Sequence, residues 1–387
     1  MRIGAPKETA EGERRVALVP EVVQRLTRPA PGSEDGQPQH EVVIERGAGA
    51  GALIPDQQYE EAGARLVAGA EEVYACEVVV KVQAPSPEEI GHLRSGGVLI
   101  GFLAPLTNAE GIRAIARSGV TSFAMEAIPR ISRAQSMDAL SSQANIAGYR
   151  AALIGAQELG RYYPMLMTAA GTIRPATVLV LGAGVAGLQA IATARRLGAV
   201  VQGYDVRAAV KEQVESLGAH FLEFDLGEDL EGAGGYAKEL TPEQQARQQE
   251  QMAEAIGKAD VVITTALVPG RRAPILVTED AVRRMKPGSV IVDLAGEQGG
   301  NCELSEPGQS IVRHDVKILA PLNVPSTMAE HASQLYARNI QSLLELMVKD
   351  GRLELDFEDE VIAGACITRE GEIVHEGARQ AAGVATA

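Results

Sequence analysis

The sequence predicts an α/β fold of two domains, each built on a parallel sheet and joined by long helices. Short apolar runs alternate with helical patterns along most of the chain, which is typical of parallel strands connected by helices. A glycine-rich turn lies between two of these runs near the middle. The length, 387 residues, also favours two domains over one.

The first domain is assigned to residues 1–136 and 328–387. It contains predicted strands and helices but no glycine-rich turn. Its predicted strands are Arg2 to Pro6, Glu41 to Glu45, Glu77 to Val82, Val98 to Leu103 and Thr121 to Met125. Its predicted helices are Pro20 to Leu26, Tyr59 to Leu66, Asn108 to Arg117 and the amphipathic His331 to Val348, with a hairpin following in Asp356 to His375.

The second domain is assigned to residues 137–327. A long buried helix, Ser141 to Leu159, is expected to join the domains, and a hairpin is expected within Met165 to Val180. The predicted strands are Val178 to Leu181, Val200 to Tyr204, His220 to Phe224, Val261 to Thr265, Ser289 to Leu294 and Val316 to Ala320. Six strands are the number in a complete Rossmann-like dinucleotide-binding domain.

The glycine turn has the GxGxxG spacing between a strand and a helix, in the residues Gly182, Ala183, Gly184, Val185, Ala186 and Gly187. Gly182 permits the tight turn, Gly184 leaves room for phosphates, and Gly187 allows close packing of the helix that starts there. The helix N-terminus then offers N–H groups to an anion. The alternative is a domain of this fold with an empty crevice.

Asp205 ends the second strand, about 20 residues beyond the turn, where the fingerprint requires an acidic residue. Its carboxylate can accept hydrogen bonds from the ribose hydroxyls of NAD(H), whereas it would repel the 2′-phosphate of NADP(H). NAD(H) is therefore the predicted nucleotide, although Arg207 is a feature that favours the opposite choice.

Composition and missing motifs exclude several classes of function. The net charge of −15 argues against nucleic acid or an anionic membrane as direct partners. No apolar run is long enough to span a membrane, and no signal peptide is evident. The three cysteines are scattered, the six histidines lack metal-binding spacing, and no G-x-S-x-G motif occurs, so neither a metal site nor a hydrolase is predicted.

A dehydrogenase for amino or hydroxy acids needs a general acid or base. Lys81 and Arg15 are candidates, although Arg15 can equally be a surface charge and Lys81 a cation at the end of a strand. Direct hydride exchange between two nicotinamides needs only positioning and exclusion of water.

Two further stretches are candidates for ligand contact. Arg130 to Gln143 is polar and lies at the expected domain junction, although it can equally be a solvated loop. Asp225 to Gln251 begins with glycines and continues as a polar run, which indicates a mobile loop followed by an exposed helix.

Over nearly its whole length the sequence resembles the NAD(H)-binding component, domain I, of proton-translocating NAD(P) transhydrogenases, and it is also similar to alanine dehydrogenases. The motifs that carry the resemblance are KETAEGERRVALVP, RAQSMDALSSQ, GAGVAGLQAIATARRLGA, GGYAKE, TTALVPG and DLAGEQGGNCELSEPG.

The resemblance implies a set of site residues. Arg130, Gln135, Asp138 and Ser141 would act at the nicotinamide end of NAD(H), as catalytic and binding residues. The other implied binding residues are the six of the glycine turn, Asp205, Val206 and Arg207 at the ribose, Gly235 and Tyr236 on a closing loop, Gln248, and the wall residues Ala266 and Leu267. The catalytic histidine of alanine dehydrogenases has no counterpart in IGFLAPL, and Glu297 replaces their catalytic aspartate.

The resemblance also implies partners. The chain would form a homodimer and pass hydride from NADH to NADP⁺ held on a separate NADP(H)-binding subunit. A membrane-spanning proton-channel subunit would hold it at the cytoplasmic face of the inner membrane. The alternatives are an alanine or opine-type dehydrogenase and a non-catalytic NAD sensor.

Overall fold

The computed structural model describes residues 1–29, 39–224, 242–349 and 351–384. The chain forms two compact units, unit 1 with residues 1–143 and 325–387, and unit 2 with residues 144–324. Each unit contains a sheet whose strands are mostly parallel, so the predicted α/β fold class is confirmed. In the described ranges, no helix combines the length and apolar composition needed to cross a membrane.

The strands, in chain order, are β1 (Arg2–Ala5), β2 (Glu41–Glu45), β3 (Arg65–Val67), β4 (Val78–Val80), β5 (Val98–Gly101), β6 (Thr121–Ala124), β7 (Leu166–Thr168), β8 (Gly171–Ile173), β9 (Thr177–Leu181), β10 (Val200–Tyr204), β11 (His220–Phe221), β12 (Val261–Thr264), β13 (Val290–Asp293), β14 (Ser310–Arg313), β15 (Val316–Leu319), β16 (Val348–Lys349), β17 (Arg352–Leu353), β18 (Cys366–Arg369) and β19 (Glu372–Ile373). The α-helices are α1 (Pro20–Thr27), α2 (Asp56–Glu61), α3 (Ala70–Tyr74), α4 (Pro87–His92), α5 (Ala109–Arg117), α6 (Ala139–Glu158), α7 (Val185–Arg196), α8 (Lys211–Ser216), α9 (Pro242–Lys258), α10 (Glu279–Arg283), α11 (Ala329–Met347), α12 (Glu360–Ala365) and α13 (Glu376–Ala381).

Unit 1 is organised around a sheet in the order β19-β18-β6-β5-β4-β1-β2-β3. Strands β1 to β6 run parallel, while β18 pairs antiparallel with β6 and β19 antiparallel with β18. Side chains alternate between two apolar clusters, so that Val42 enters one and Val43 the other. Helix α11 contributes Tyr336 and Ile340 to the same cluster as Val42, which makes the late part of the chain integral to this core.

Unit 2 is organised around a sheet in the order β11-β10-β9-β12-β13-β15-β14. The six predicted strands are present and run parallel, with β9 between β10 and β12. The sheet also contains β14, an antiparallel edge strand that the sequence analysis did not predict. The predicted hairpin is also present, as β7 and β8, which form a separate antiparallel pair.

Two predicted elements differ in the structure. The helix expected over Tyr59 to Leu66 divides into α2 and β3, because Gly63 has a φ of +91° and ends the helix. The hairpin expected in Asp356 to His375 is preceded by α12, whose first turn is capped by the side chain of Asp359.

Candidate nucleotide-binding site

Three loops of unit 2 follow neighbouring parallel strands. The glycine turn follows β9, residues 205–207 follow β10, and residues 265–267 follow β12. Because the carboxyl ends of parallel strands meet at one edge of a sheet, these loops lie side by side. Ligands of open α/β sheets bind at this edge.

The geometry of the glycine turn explains each glycine. Gly182 has a φ of +97°, and a Cβ there would lie 2.6 Å from Thr265 Oγ1. A Cβ on Gly187 would lie only 1.8 Å from the carbonyl oxygen of Gly182, so this glycine sets the close approach of α7 to β9. A Cβ on Gly184 would meet no described atom within 4 Å, which leaves open space beside the turn.

Helix α7 begins at Val185, two residues before the predicted start. Its N-cap, Gly184, has no side chain to accept a hydrogen bond from the first turn. The N–H groups of a first helical turn have no partner within the helix. This end of α7 therefore combines open space with N–H groups that are able to bind an anion.

Asp205 lies directly beside the glycine turn. One carboxylate oxygen accepts the N–H of Ala183 at 2.8 Å, and both oxygens accept hydrogen bonds from the Arg207 guanidinium, at 2.9 and 3.0 Å. Burial alone would raise the pKa of Asp205, but the hydrogen bonds from Arg207 and Ala183 outweigh it and lower the pKa below its ordinary value. Asp205 is therefore a carboxylate at neutral pH.

The third loop is held in place by Asn301, a residue that the sequence analysis did not select. Its side chain accepts the N–H of Ala266 at 3.0 Å and donates to the Ala266 carbonyl at 2.8 Å. The backbone N–H of Asn301 in turn donates to the buried carboxylate of Asp293. The only sequence signal was the motif GGNCELSEPG, which contains Asn301 without indicating its partner.

Apolar and aromatic side chains complete this edge of unit 2. Val206 and Leu267 are 76% and 50% exposed, although both are large and apolar. Gln248 donates from Nε2 to the hydroxyl of Tyr204 at 2.5 Å, and the Tyr204 ring stacks on Phe224 with centroids 4.7 Å apart. Gln248 is thus linked to β10, the strand that precedes Asp205.

In unit 1, the candidate stretch forms a 3-10 turn over Ser132–Met137. Arg133 donates to both carboxylate oxygens of Asp359, each at 2.9 Å. Asn339 of α11 donates to the Ser136 carbonyl and accepts from the Ser142 hydroxyl, each at 2.8 Å. The turn is therefore fixed at several points, and Arg133 and Asn339 are further residues that the sequence analysis did not select.

The four predicted residues of this stretch fall into two pairs. Asp138 accepts the N–H and hydroxyl of Ser141, at 2.9 and 2.6 Å, and so caps the start of α6. Arg130 and Gln135 are exposed, and neither side chain has a hydrogen-bond partner among the described residues. Capping accounts for the first pair, whereas the second pair remains available to a ligand.

Gly235 and Tyr236 lie outside the described residues.

The two candidate acid or base residues are buried in unit 1 and paired with carboxylates. Arg15 contacts Glu13 at 2.6 Å, and Lys81 lies 3.1 Å from Glu89 and 3.6 Å from Glu8. Burial raises the pKa of Glu8, despite the nearby ammonium group of Lys81. Both cations therefore have structural partners in the protein itself.

Two features were expected to distinguish the chain from alanine dehydrogenases, the stretch IGFLAPL, which contains no histidine, and Glu297. In IGFLAPL, Ala104 is exposed with a φ of +53°. Glu297 accepts the backbone N–H of Asn323 at 2.7 Å, which is a structural contact. The described ranges contain no cluster of three metal-binding side chains, and all three cysteines are buried and unpaired.

Comparison with protein families gives two matches that follow each other along the chain. The N-terminal domain of alanine dehydrogenase/PNT matches residues 4–147, and the C-terminal domain matches residues 151–376. The chain belongs to the alanine dehydrogenase/PNT family. The predicted resemblance is thereby confirmed.

Members of both branches of the alanine dehydrogenase/PNT family are similar to the chain. An NAD(P) transhydrogenase alpha subunit of Rhodospirillum rubrum is 51% identical, over 97% of this chain and 98% of the relative. A transhydrogenase crystal structure from Sinorhizobium meliloti is 46% identical with a TM-score of 0.83, covering 97% of this chain and 99% of the other. An L-alanine dehydrogenase structure is 30% identical with a TM-score of 0.79, covering 98% and 99%.

Proposed function

We propose that the chain is the NAD(H)-binding subunit of a proton-translocating NAD(P) transhydrogenase. The family match and the transhydrogenase relatives support an oxidoreductase role with a nicotinamide nucleotide. The observation that carries the proposal is the edge of unit 2, where the open Gly184 position, the start of α7 and the Asp205 carboxylate adjoin one another.

The residues of this edge fit a dinucleotide. The pyrophosphate would bind the N–H groups at the start of α7, beside Gly184. The ribose hydroxyls of the adenosine would donate to Asp205. Val206 and Leu267, both large, apolar and exposed, would cover the apolar faces of the nucleotide. Gln248 would support the ribose end through Tyr204.

In unit 1, Arg130 and Gln135 would contact the nicotinamide end, and Asp138 and Ser141 would fix the start of α6 beside them. NADH supplies the hydride, which passes directly to NADP⁺ on the partner subunit. No proton is gained or lost in this step, so the chain's residues have to orient the ring and exclude water. The pairing of Arg15 and Lys81 with carboxylates is compatible with a site that needs no acid or base.

We also propose that the chain acts as a homodimer. The β7–β8 hairpin forms a two-stranded sheet by itself, and such a pair has little stability alone in water. Met165 and Met167 are 57% and 75% exposed, and Ile173 is also exposed. A second copy would cover these apolar side chains.

The complex would also include an NADP(H)-binding subunit and a membrane-spanning proton-channel subunit, which would hold the chain at the cytoplasmic face of the membrane.

The decisive experiment combines the purified chain with an NADP(H)-binding transhydrogenase subunit, and supplies NADH deuterated at C4 together with NADP⁺. We expect deuterium in the NADPH formed, and none without the partner subunit. Calorimetry on the chain alone should show tighter binding of NADH than of NADPH, because Asp205 repels a 2′-phosphate. If the chain binds NADH but no deuterium is transferred to NADP⁺, the result would favour a non-catalytic NAD sensor.

An alanine dehydrogenase is the second candidate, favoured by the similar L-alanine dehydrogenase structure. NADH formation from NAD⁺ and L-alanine by the chain alone would establish it. The absence of a histidine in IGFLAPL argues against this outcome, since amino-acid oxidation releases a proton that an acid or base has to accept.

A further inference from the structure

The Asp205 carboxylate is fully engaged by groups of the protein itself. It accepts the N–H of Ala183, the N–H of Arg207, and two hydrogen bonds from the Arg207 guanidinium. A carboxylate has about four lone-pair positions. No acceptor position therefore remains for the two hydroxyls of a ribose.

The four hydrogen bonds differ in how easily they break. Those from the two backbone N–H groups are fixed by the strand end and the glycine turn. Those from the guanidinium come from a side chain that is 58% exposed, whereas the Asp205 side chain is 6% exposed. Only the guanidinium can leave without changing the backbone, because a long exposed side chain has other rotamers available in water.

We propose that Arg207 is a competitor of the adenosine ribose for Asp205, and that its guanidinium leaves the carboxylate whenever NAD(H) binds. This inference rests on the proposed binding of NAD(H) to unit 2. Arg207 was expected to contribute to the affinity for NAD(H); in this proposal it limits that affinity. The same contact favours nucleotide release, because Arg207 recaptures the carboxylate as the ribose withdraws.

Competition also preserves the charge of Asp205 in the free protein. The Arg207 guanidinium helps to lower the pKa of the carboxyl, so the acceptor stays ionised until the nucleotide arrives. A guanidinium fork matches both carboxylate oxygens, as two ribose hydroxyls do. The two groups are therefore alternative occupants of one pair of acceptor atoms.

The test is calorimetry and stopped-flow kinetics of NADH with wild type, Arg207→Gln and Arg207→Lys. Arg207→Gln keeps the backbone N–H and removes the guanidinium. We therefore expect NADH to bind roughly two- to five-fold more tightly, which is the range expected from the loss of an ion pair with one exposed partner. We also expect NADH to dissociate more slowly. Arg207→Lys keeps the charge without the fork and should lie between the two. Arg313→Gln removes an exposed ion pair with Glu306 in the same unit and should leave NADH affinity unchanged.

A second measurement follows the contact directly. The Nε–H resonance of Arg207, assigned by its loss in Arg207→Gln, should show a hydrogen-bonded proton in the free protein and fast exchange at NADH saturation. Equal or weaker NADH binding by Arg207→Gln, or an Nε–H signal that NADH does not change, would overturn this inference alone. A wild-type chain that does not bind NADH would overturn the proposed function and this inference with it.

Discussion

At the scale of the residue, the polar side chains of the candidate site are of two kinds. Some hold the backbone of the candidate loops, and others are available to contact a ligand. Asn301 and Asn339 hold backbone atoms of the candidate loops, while Arg130 and Gln135 have no partner in the described part of the chain. Support roles could not be predicted, because Asn339 lies 203 residues from its partner Ser136. The arrangement of the glycine turn next to Asp205 was predictable, because the whole motif is local in sequence.

Gln135→Asn should slow hydride transfer more than it weakens NADH binding. The shorter side chain keeps its amide but moves it by about one methylene, and groups that position a reacting ring act mainly in the transition state. Single-turnover rates with the partner subunit should fall by about 10-fold or more, while the calorimetric affinity changes little. Gln24→Asn, at an exposed position of α1, is the matched control. Equal losses in rate and affinity would instead indicate a simple binding role.

Asp138→Asn distinguishes capping from chemistry. The amide oxygen can still accept the Ser141 N–H, so α6 should keep its start and the melting temperature should change little. The charge is lost, so hydride transfer should slow if the carboxylate acts on the nicotinamide end. Asp138→Ala removes the cap as well and should cost about 1 kcal/mol of stability. An Asp138→Asn variant with the full transfer rate would leave capping as the only role of Asp138.

At the scale of the element, apolar runs that end at charged or turn-forming residues were predicted well, and segments too short to show the period of their own structure were not. Strands β2 and β10 have the predicted bounds, because their apolar runs end at charged or turn-forming residues. Strand β3 and helix α12 are only 3 and 6 residues long, too short for a periodic pattern to develop. Strand β14 is exposed and mixed in composition, and its pairing with β15 is what makes it a strand.

The β7–β8 hairpin gives a prediction about association. Met167→Asp places a charge on an exposed apolar position of the hairpin, where a second copy would otherwise bury the side chain. We expect sedimentation to shift from dimer to monomer at micromolar concentration. Val312→Asp introduces the same charge at another exposed apolar position of unit 2 and should leave the dimer intact. A Met167→Asp protein that remains dimeric would show that the hairpin is not the contact.

At the scale of the whole molecule, stability should depend on pH through Glu126. Its carboxylate accepts the N–H groups of Ala104 and Leu103, at 2.6 and 3.3 Å. Burial outweighs these hydrogen bonds and raises the pKa of Glu126 to about 7. The folded protein therefore holds the Glu126 proton more tightly than the unfolded chain does. The resulting contribution to the free energy of unfolding is fully present below about pH 4.5 and is lost as the pH rises through 7.

Glu126→Gln should therefore gain stability relative to wild type as the pH rises from 5 to 8. The gain is at most about 3 kcal/mol, from roughly 1.36 kcal/mol per pKa unit. Urea unfolding of both proteins at several pH values measures it as a difference, which removes the contributions of other groups. A difference that stays constant between pH 5 and pH 8 would contradict the raised pKa.

The path of the chain through the two units has a consequence for synthesis on the ribosome. Unit 2 is one continuous stretch, residues 144–324, so every strand of its sheet is available as soon as that stretch has emerged. Unit 1 lacks α11, and with it Tyr336 and Leu343 of its core, until the last 63 residues follow (325–387). The nascent N-terminal segment therefore keeps apolar surface exposed while unit 2 is synthesised, and we expect chaperones to bind that surface.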